Sequence, residues 1–307
     1  MKRLSLTTAG ESHGPGLTAV LSGLPAGLEI DFDFIAKELR RRQHGYGRGR
    51  RMQIEQDELE FKGGVRGGET LGSPISIWIS NRDYENWRDV MHPVTLDPQR
   101  VEQRRMRSPR PGHADLAGGI KYLRSDLRDI LERASARESA ARVAAGSLAK
   151  LLLLEFGIEI RSGVKSLGEV GIDAPTPTWD DLLKVDDTSP LRAIDRSIED
   201  QMVGLVDAMK TAGDTLGGAV CIIAHGVPPG LGSHIQWNEK LDGSLARAVM
   251  SVPAVKAVEF GSAIEASRGP GSRAHDSIQT DRQGGWPRPT NRAGGLEGGI
   301  TNGQDIV

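Results

Sequence analysis

The 307-residue sequence predicts an α+β fold, with antiparallel strands in preference to a regular strand–helix alternation. Three observations carry this. Short apolar strand patterns near the N-terminus are punctuated by Gly and Pro as hairpins are. One long Ala- and Leu-rich helix, 134–156, is too apolar for a surface and belongs in a core. An internal repeat then suggests that one supersecondary unit has been used twice.

From the N-terminus, Leu4 to Gly27 reads as strand, glycine loop, strand and turn, closing at Pro25-Ala26-Gly27. Asp31 offers an N-cap to a helix whose Ile35 and Leu39 face inward and which ends near Gly45. Residues 52–61 and 75–79 have strand patterns. The polar stretch 81–111 is longer than an ordinary connection and is predicted to be functional or mobile. After the long helix come helices at 190–210 and 239–251 and strands at 218–224 and 255–260. Residues 261–303 are rich in Gly, Arg and Pro, with little apolar periodicity; they would read as a linker but for the arginines.

The repeat aligns residues 9–28, AGESHGPGLTAVLSGLPAGL, on 212–231, AGDTLGGAVCIIAHGVPPGL, without gaps and with seven of twenty positions identical. Glu60-Phe61 against Glu259-Phe260, and LAGGI at 116–120 against LEGGI at 296–300, follow in the same order. Chance likeness between glycine loops is the competing explanation. A true repeat predicts one domain over 1–307, built of halves of about 1–205 and 206–307 around a pseudo-twofold axis. His13 becomes Leu216 in the second copy, so proton chemistry is expected in the first. The second copy's partner of the long helix would fall beyond Gly303, so the chain reads as short at its C-terminus.

Composition bounds the function. A formal net charge of −2 and 37% hydrophobic residues describe a globular protein without a global field for nucleic acid or membrane. Aromatic content of 4% removes the stacking platform a single-strand binder needs. With no apolar stretch of signal-peptide or membrane-spanning length, a cytoplasmic location is expected. The single Cys221 lies in an apolar strand pattern and reads as a packing thiol. No HxxxH or CxxC spacing exists, so no metal site is expected. Of the 39 cations 29 are Arg, the side chain suited to forked anion recognition, although a GC-rich genome gives the same skew.

The chemistry concentrates in two loops. Ala9-Gly10-Glu11-Ser12-His13-Gly14 is followed by six arginines (40, 41, 42, 48, 50 and 51) with no acid from residue 39 to 54. Arg110-Pro111-Gly112-His113-Ala114-Asp115 is preceded by Arg100, Arg104, Arg105 and Arg107. Histidine moves protons near neutral pH, and arginine forks grip phosphate or carboxylate. Two such loops point to acid–base chemistry on an anionic small molecule, and the unneutralised arginines suggest that this anion is their counter-charge. Asp115 is positioned to orient the His113 ring. Gly45 to Arg50 superficially matches a dinucleotide loop, but an Arg-rich helix precedes it and a strand follows, so that reading fails. Arg133-Ala134-Ser135 reads as the start of the long helix, a seat for an anionic or electron-rich ligand, an ordinary cap with Glu138 three residues on, or both together. The remaining five histidines read as structural.

Six segments together resemble the chorismate synthase family: AGESHGPGL (9–17), RRRQHGYGRGRRM (40–52), NRDYENW (81–87), RPGHADLAGGIKY (110–122), ERASARESAARVAAG (132–146) and GGITNGQDI (298–306). The resemblance implies an FMN-dependent lyase of the shikimate pathway. That activity converts 5-enolpyruvylshikimate 3-phosphate, a phosphorylated dicarboxylate, to chorismate and phosphate by 1,4-anti elimination. It implies His13 as proton donor to the departing phosphate and His113 as proton donor to the flavin. Arg42, Arg48, Arg110 and Arg137 would bind substrate anions. Arg133, Ala134, Ser135 and Gly298 would contact reduced FMN, as would Pro253 and Ala254, where the proline departs from the family pattern. The implied fold is a sandwich of helices between antiparallel sheets, assembled as a homotetramer, with the flavin reduced by NADPH directly or through an external reductase. The family's Lys-Pro-x-x-Thr flavin run and Arg-His-Asp motif are expected beyond Val307, and a chain lacking them would be inactive. The rival readings are a nucleic-acid-binding module and a catalytically dead flavin-binding scaffold.

Overall fold

Strand alternation and the apolar faces of two helices build the first half of the chain. The structure, a computed structural model, describes residues 4–47, 55, 57–172, 176–280 and 286–307. These fall into two compact units, 1–44 with 48–152, and 45–47 with 153–307.

The first unit is organised by a four-stranded antiparallel sheet, in spatial order β1 (Ser5–Ala9), β2 (Gly16–Ser22), β7 (Ile75–Ser80), β4 (Leu59–Gly63). In β2 and β7 every second residue faces the core: Leu17, Ala19 and Leu21 beside Ile79, Ile77 and Ile75, all buried. Helix α1 (Phe32–Gln43) packs Ile35 and Leu39 into the same core, and its Asp31 cap accepts the Phe34 N–H at 2.9 Å, as the sequence predicts. A small sheet of β3 (Ala26–Glu29), β6 (Glu69–Leu71) and β5 (Val65–Arg66) completes the strands. Of the predicted strand 52–61, residues 52–54 and 56 lie outside the described residues.

The long helix departs from expectation. Helix α5 (Arg128–Ala134) stops, Ser135 is extended, residues 136–138 make one 3-10 turn, and α6 runs from Ser139 to Leu154. Arg133 and Ala134 therefore end one helix instead of starting the next. Ser135 accepts the Arg137 N–H at 3.3 Å, while Glu138 is taken by Thr8 and Arg142, so no capping box forms. The tertiary partners of Arg133 and Arg137 outweigh the helix propensity of this Ala-rich stretch. Within α6 the expectation of a core position holds: Ala140, Ala141, Ala144, Ala145, Leu148 and Leu151 are buried in the sheet's core. The polar stretch 81–111 is no structureless loop. It folds into a 3-10 turn (Arg82–Asn86), α2 (Arg88–Met91) and α3 (Pro98–Arg104), and is followed by α4 (Asp115–Tyr122).

In the second unit β10 (Gly218–His225), β8 (Glu159–Leu167) and β9 (Val170–Gly171) form an antiparallel sheet. Against it α7 (Trp179–Leu183) supplies Leu182 to a core with Val185, Ile194, Ile223 and Cys221, the thiol buried as predicted. The helix expected at 190–210 begins only at Glu199, as α8 (Glu199–Ala212), because residues 192–194 first run beside β8 through bonds between Val164 and both Arg192 and Ile194. Helix α9 (Leu241–Met250) matches its prediction. The strand expected at 255–260 does not form; no described strand pairs with it, and a strand without a neighbour has no ladder to stabilise it. A four-residue helix, α10 (Ala263–Ala266), follows. The LAGGI and LEGGI echoes adopt different structures, one in α4 and the other as the hairpin β11 (Leu296–Glu297) to β12 (Ile300–Thr301). What repeats is the strand after each glycine loop, β2 and β10.

Candidate active site

The loop between β1 and β2 presents His13, and its backbone is tied to Glu132 and Asn81. Gly10, at φ +106°, turns the chain out of β1. The Ser12 N–H donates to the Glu132 carbonyl at 2.9 Å, and the His13 N–H to the Glu132 carboxylate at 2.8 Å. The Asn81 amide donates to the carbonyls of Glu11 and Gly14 at 3.0 and 2.8 Å. This buried asparagine opens the NRDYENW segment, in which the sequence reading assigned no residue a role.

The His13 ring is held through one nitrogen. Its Nδ1 lies 2.8 and 3.0 Å from the two carboxylate oxygens of Glu132, a residue 1% exposed at the heart of α5. Arg128, one turn earlier, donates to Oε1 of the same carboxylate at 2.8 Å. Burial pushes the Glu132 carboxyl up, but the His13 ring and backbone bonds, with Arg128, more than offset this and hold it below the usual carboxylate range. Nε2 of His13 faces Asp83 at 3.9 Å, beyond hydrogen-bonding distance. Trp87 covers one face of the ring, centroid to centroid 4.2 Å, and itself carries the guanidiniums of Arg104 and Arg128 at 4.1 and 4.8 Å.

Behind the loop the arginines are internally paired. Buried Arg137 donates to Asn81 at 2.9 Å, to Glu55 at 3.4 Å and to Asp57, which also accepts from Arg42 Nε at 2.9 Å. Arg41 pairs with Glu38. The counter-charges inferred to be missing thus come in part from Glu38, Glu55 and Asp57, outside the arginine run in sequence but beside it in space. Arg48 lies outside the described residues. Arg133 donates to the Thr8 and Gly10 carbonyls at 2.9 and 3.2 Å, lacing α5 to the end of β1.

The second histidine loop is built differently from its prediction. Asp115 does not orient His113; buried at the start of α4, it is clamped by Arg110 through Nε at 2.8 Å, Nη2 at 3.0 Å and the backbone N–H at 3.0 Å. The Arg110 hydrogen bonds hold its carboxyl below the usual range. The exposed His113 ring lies with Nδ1 2.9 Å from the Pro111 carbonyl, leaving Nε2 with no partner among the described residues. Of the other predicted contacts, Ser135 is half-buried and Ala134 exposed in the first unit. Pro253, Ala254 and Gly298 belong to the second, Ala254 and Gly298 both with positive φ.

The residues the sequence reading missed are Glu132, Asn81, Asp83, Trp87 and Arg128. Four of them sit inside the ERASARESAARVAAG and NRDYENW segments, so the signal was a motif without an assigned role. Among the described residues no cluster suited to a metal ion exists.

A histidine backed by a buried carboxylate and set among guanidiniums, on an α+β scaffold, defines an enzyme that handles a proton beside an anionic group. Known proteins narrow that class. A family model described as chorismate synthase matches residues 4–307. Chorismate synthase of Carboxydothermus hydrogenoformans is 51% identical over 301 residues, covering 98% of this chain and 77% of the relative. That of Geobacillus thermodenitrificans is 50% identical, covering 98% and 78%. A crystal structure of chorismate synthase superposes with a TM-score of 0.83 at 43% identity, over all of this chain and 83% of that one. The chain belongs to the chorismate synthase family, lyases of the last shikimate-pathway step in aromatic biosynthesis.

Proposed function

We propose that the His13 site carries out the 1,4-anti elimination of phosphate from 5-enolpyruvylshikimate 3-phosphate, giving chorismate. The observation that carries this reading is the Glu132–His13–Nε2 arrangement, with one ring nitrogen saturated and the other open. An imidazolium so held presents its remaining proton at Nε2, where a phosphate leaving the ring would take it. Glu132 favours that cation electrostatically, and Arg104 and Arg128 across Trp87 favour a dianionic phosphate nearby.

Arg42, Arg48, Arg110 and Arg137 are proposed as the anion-binding set. For Arg137 and Arg42, whose forks are occupied by Asp57, Glu55 and Asn81, the support is for a shared lattice of charge that fixes the site. Direct grip would need part of that lattice to exchange with substrate.

Reduced FMN is proposed as the cofactor, and the side chains of the first unit fit it: His113 offers an uncommitted ring nitrogen and Arg133 a guanidinium 40% exposed. When bound, the flavin supplies transient electron density to the allylic system and recovers it, so there is no net redox change. His113 would hold a proton at the flavin edge through Nε2, with Arg133, Ala134 and Ser135 of the same unit as further contacts; for Pro253, Ala254 and Gly298 the flavin role rests on the family resemblance alone. NADPH as the source of reducing equivalents, a homotetrameric assembly and a cytoplasmic location complete the reading. No helix among the described residues is long and apolar enough to cross a membrane.

The test is anaerobic turnover of the enolpyruvyl substrate with dithionite-reduced FMN, followed by chorismate absorbance. It uses these 307 residues and the longest natural form of the polypeptide. Chorismate formation that His13→Ala lowers by about 10²–10⁴-fold supports the reading. No chorismate from the longest form overturns it.

A further inference from the structure

The closed ring of contacts around His13 contains more than proton transfer needs. Glu132 touches the loop three times, through its carbonyl to Ser12, through Oε2 to the His13 backbone, and through both oxygens to Nδ1. Its carboxylate is fully enclosed, and among the described residues its one other hydrogen-bonded partner is Arg128. Arg128 is fixed in turn by two bonds to the Arg104 carbonyl, at 2.9 and 2.6 Å, and lies against Trp87. The charged groups facing His13 are therefore Glu132 and Arg128 from α5, Asp83 from the 3-10 turn, and Arg104 from α3 across the indole.

We propose that Glu132 is a positioning residue that fixes His13 with its proton on Nδ1 in the neutral ring, so that Nε2 is the only nitrogen able to pass a proton to or from a ligand. Arg128 keeps the Glu132 carboxylate ionised and in place. This rests on the reading of His13 as the proton donor. The physical reason is that an ionised carboxylate only accepts hydrogen bonds. A neutral imidazole beside it is stable with Nδ1 protonated, since the other tautomer would set a lone pair against two carboxylate oxygens. Asp83, at 3.9 Å from Nε2, is too far to impose the reverse choice. A glutamine at 132 could offer either an oxygen or an N–H to Nδ1, so the tautomer preference would go with the charge even though shape is kept.

The experiment reads the tautomer directly. In protein labelled with ¹⁵N-histidine, two-bond ¹⁵N–¹H correlation spectra above pH 8 should show His13 of the unmodified chain with Nδ1 protonated and Nε2 bare. Glu132→Gln should give mixed tautomers, with kcat lowered about 100-fold and KM changed less than about threefold. Glu132→Asp, which keeps the charge, should restore the single tautomer and part of kcat. An Nε2-protonated ring in the unmodified chain overturns the proposal without any variant having to fold. So does a folded Glu132→Gln enzyme with unchanged tautomer and kcat. Failure of the underlying reading looks different: the tautomer result would stand, but the unmodified enzyme would make no chorismate, or His13→Ala would make it normally.

Discussion

Arg137 donates its Nε–H to the Asn81 side-chain oxygen at 2.9 Å, while the nitrogen of that same amide holds the two carbonyls that flank Ser12 and His13. One buried asparagine thus couples a cationic lattice on one side to the histidine loop on the other. An amide is the only side-chain group that can accept on one atom and donate twice from the next.

Asn81→Ala should therefore leave an arginine N–H and the Gly14 carbonyl without partners in a buried place, and strip one of two bonds from the Glu11 carbonyl, which keeps the Gly14 N–H. The expected cost is about 3 kcal/mol, since unsatisfied buried groups lose their full desolvation energy. Urea unfolding should show a lower midpoint at unchanged slope. Asn81→Asp, which keeps the acceptor for Arg137 and loses both donors, should fall between alanine and the unmodified chain.

The Arg110–Asp115 pair should show itself in the pH dependence of stability. Arg110 depresses the folded-state value of Asp115, so protonation is harder in the folded chain than in the unfolded one. The contribution is then fully present above the ordinary aspartate value of about 3.9 and is lost as pH falls through the depressed one. Asp115→Asn should be less stable than the unmodified protein at pH 7, by a margin that narrows at pH 2–3. Paired urea titrations at the two pH values check this; an equal gap at both would contradict it.

Gly10 should tolerate no side chain. A Cβ at this position would lie 2.3 Å from the Gly16 carbonyl oxygen and 2.9 Å from Leu17 Cα, both backbone atoms of β2, and φ is +106°. Gly10→Ala should lower the melting temperature by roughly 4–8 °C, corresponding to about 2 kcal/mol of strain and displacement. Gly27→Ala, also at positive φ but with open space around its Cβ, should cost less. Calorimetry of the two variants separates steric contact from backbone strain.

His113 should behave oppositely to Asn81. Exposed and held by one bond to a carbonyl within its own loop, it contributes little to the fold. His113→Ala should leave unfolding free energy within about 0.5 kcal/mol of the original. Chorismate formation under reduced-FMN conditions should fall at least tenfold. Loss of stability matched to the loss of rate would assign it a structural task.

Elements whose cause is local were legible without coordinates. Asp31 caps α1, the alternating β2 and β7 bury alternate faces, Cys221 packs, and the apolar face of 139–154 lies in the core, because each follows from spacing and side-chain chemistry over a few residues. The misread elements had distant causes. Residues 255–260 have strand composition without a neighbour to pair with. The helix beginning at Ser139 was read as starting before it, because Arg133 and Arg137 are engaged by partners 56 to 125 positions off. LAGGI and LEGGI show the same limit, five near-identical residues in a helix and in a hairpin.

The site divides in the same way. By itself the sequence determined that His13 stands in a glycine-bounded loop, that arginines are plentiful, and, through six motifs, to which family the chain belongs. Only the tertiary structure decided which carboxylate backs which histidine: Glu132, 119 positions away, holds His13, whereas Asp115, two residues from His113, is taken by Arg110. Proximity along the chain favoured Asp115 as an orienting group. A buried carboxylate is stabilised by the donors that can reach it with the best geometry, and a guanidinium fork that meets both oxygens outcompetes a neighbouring imidazole.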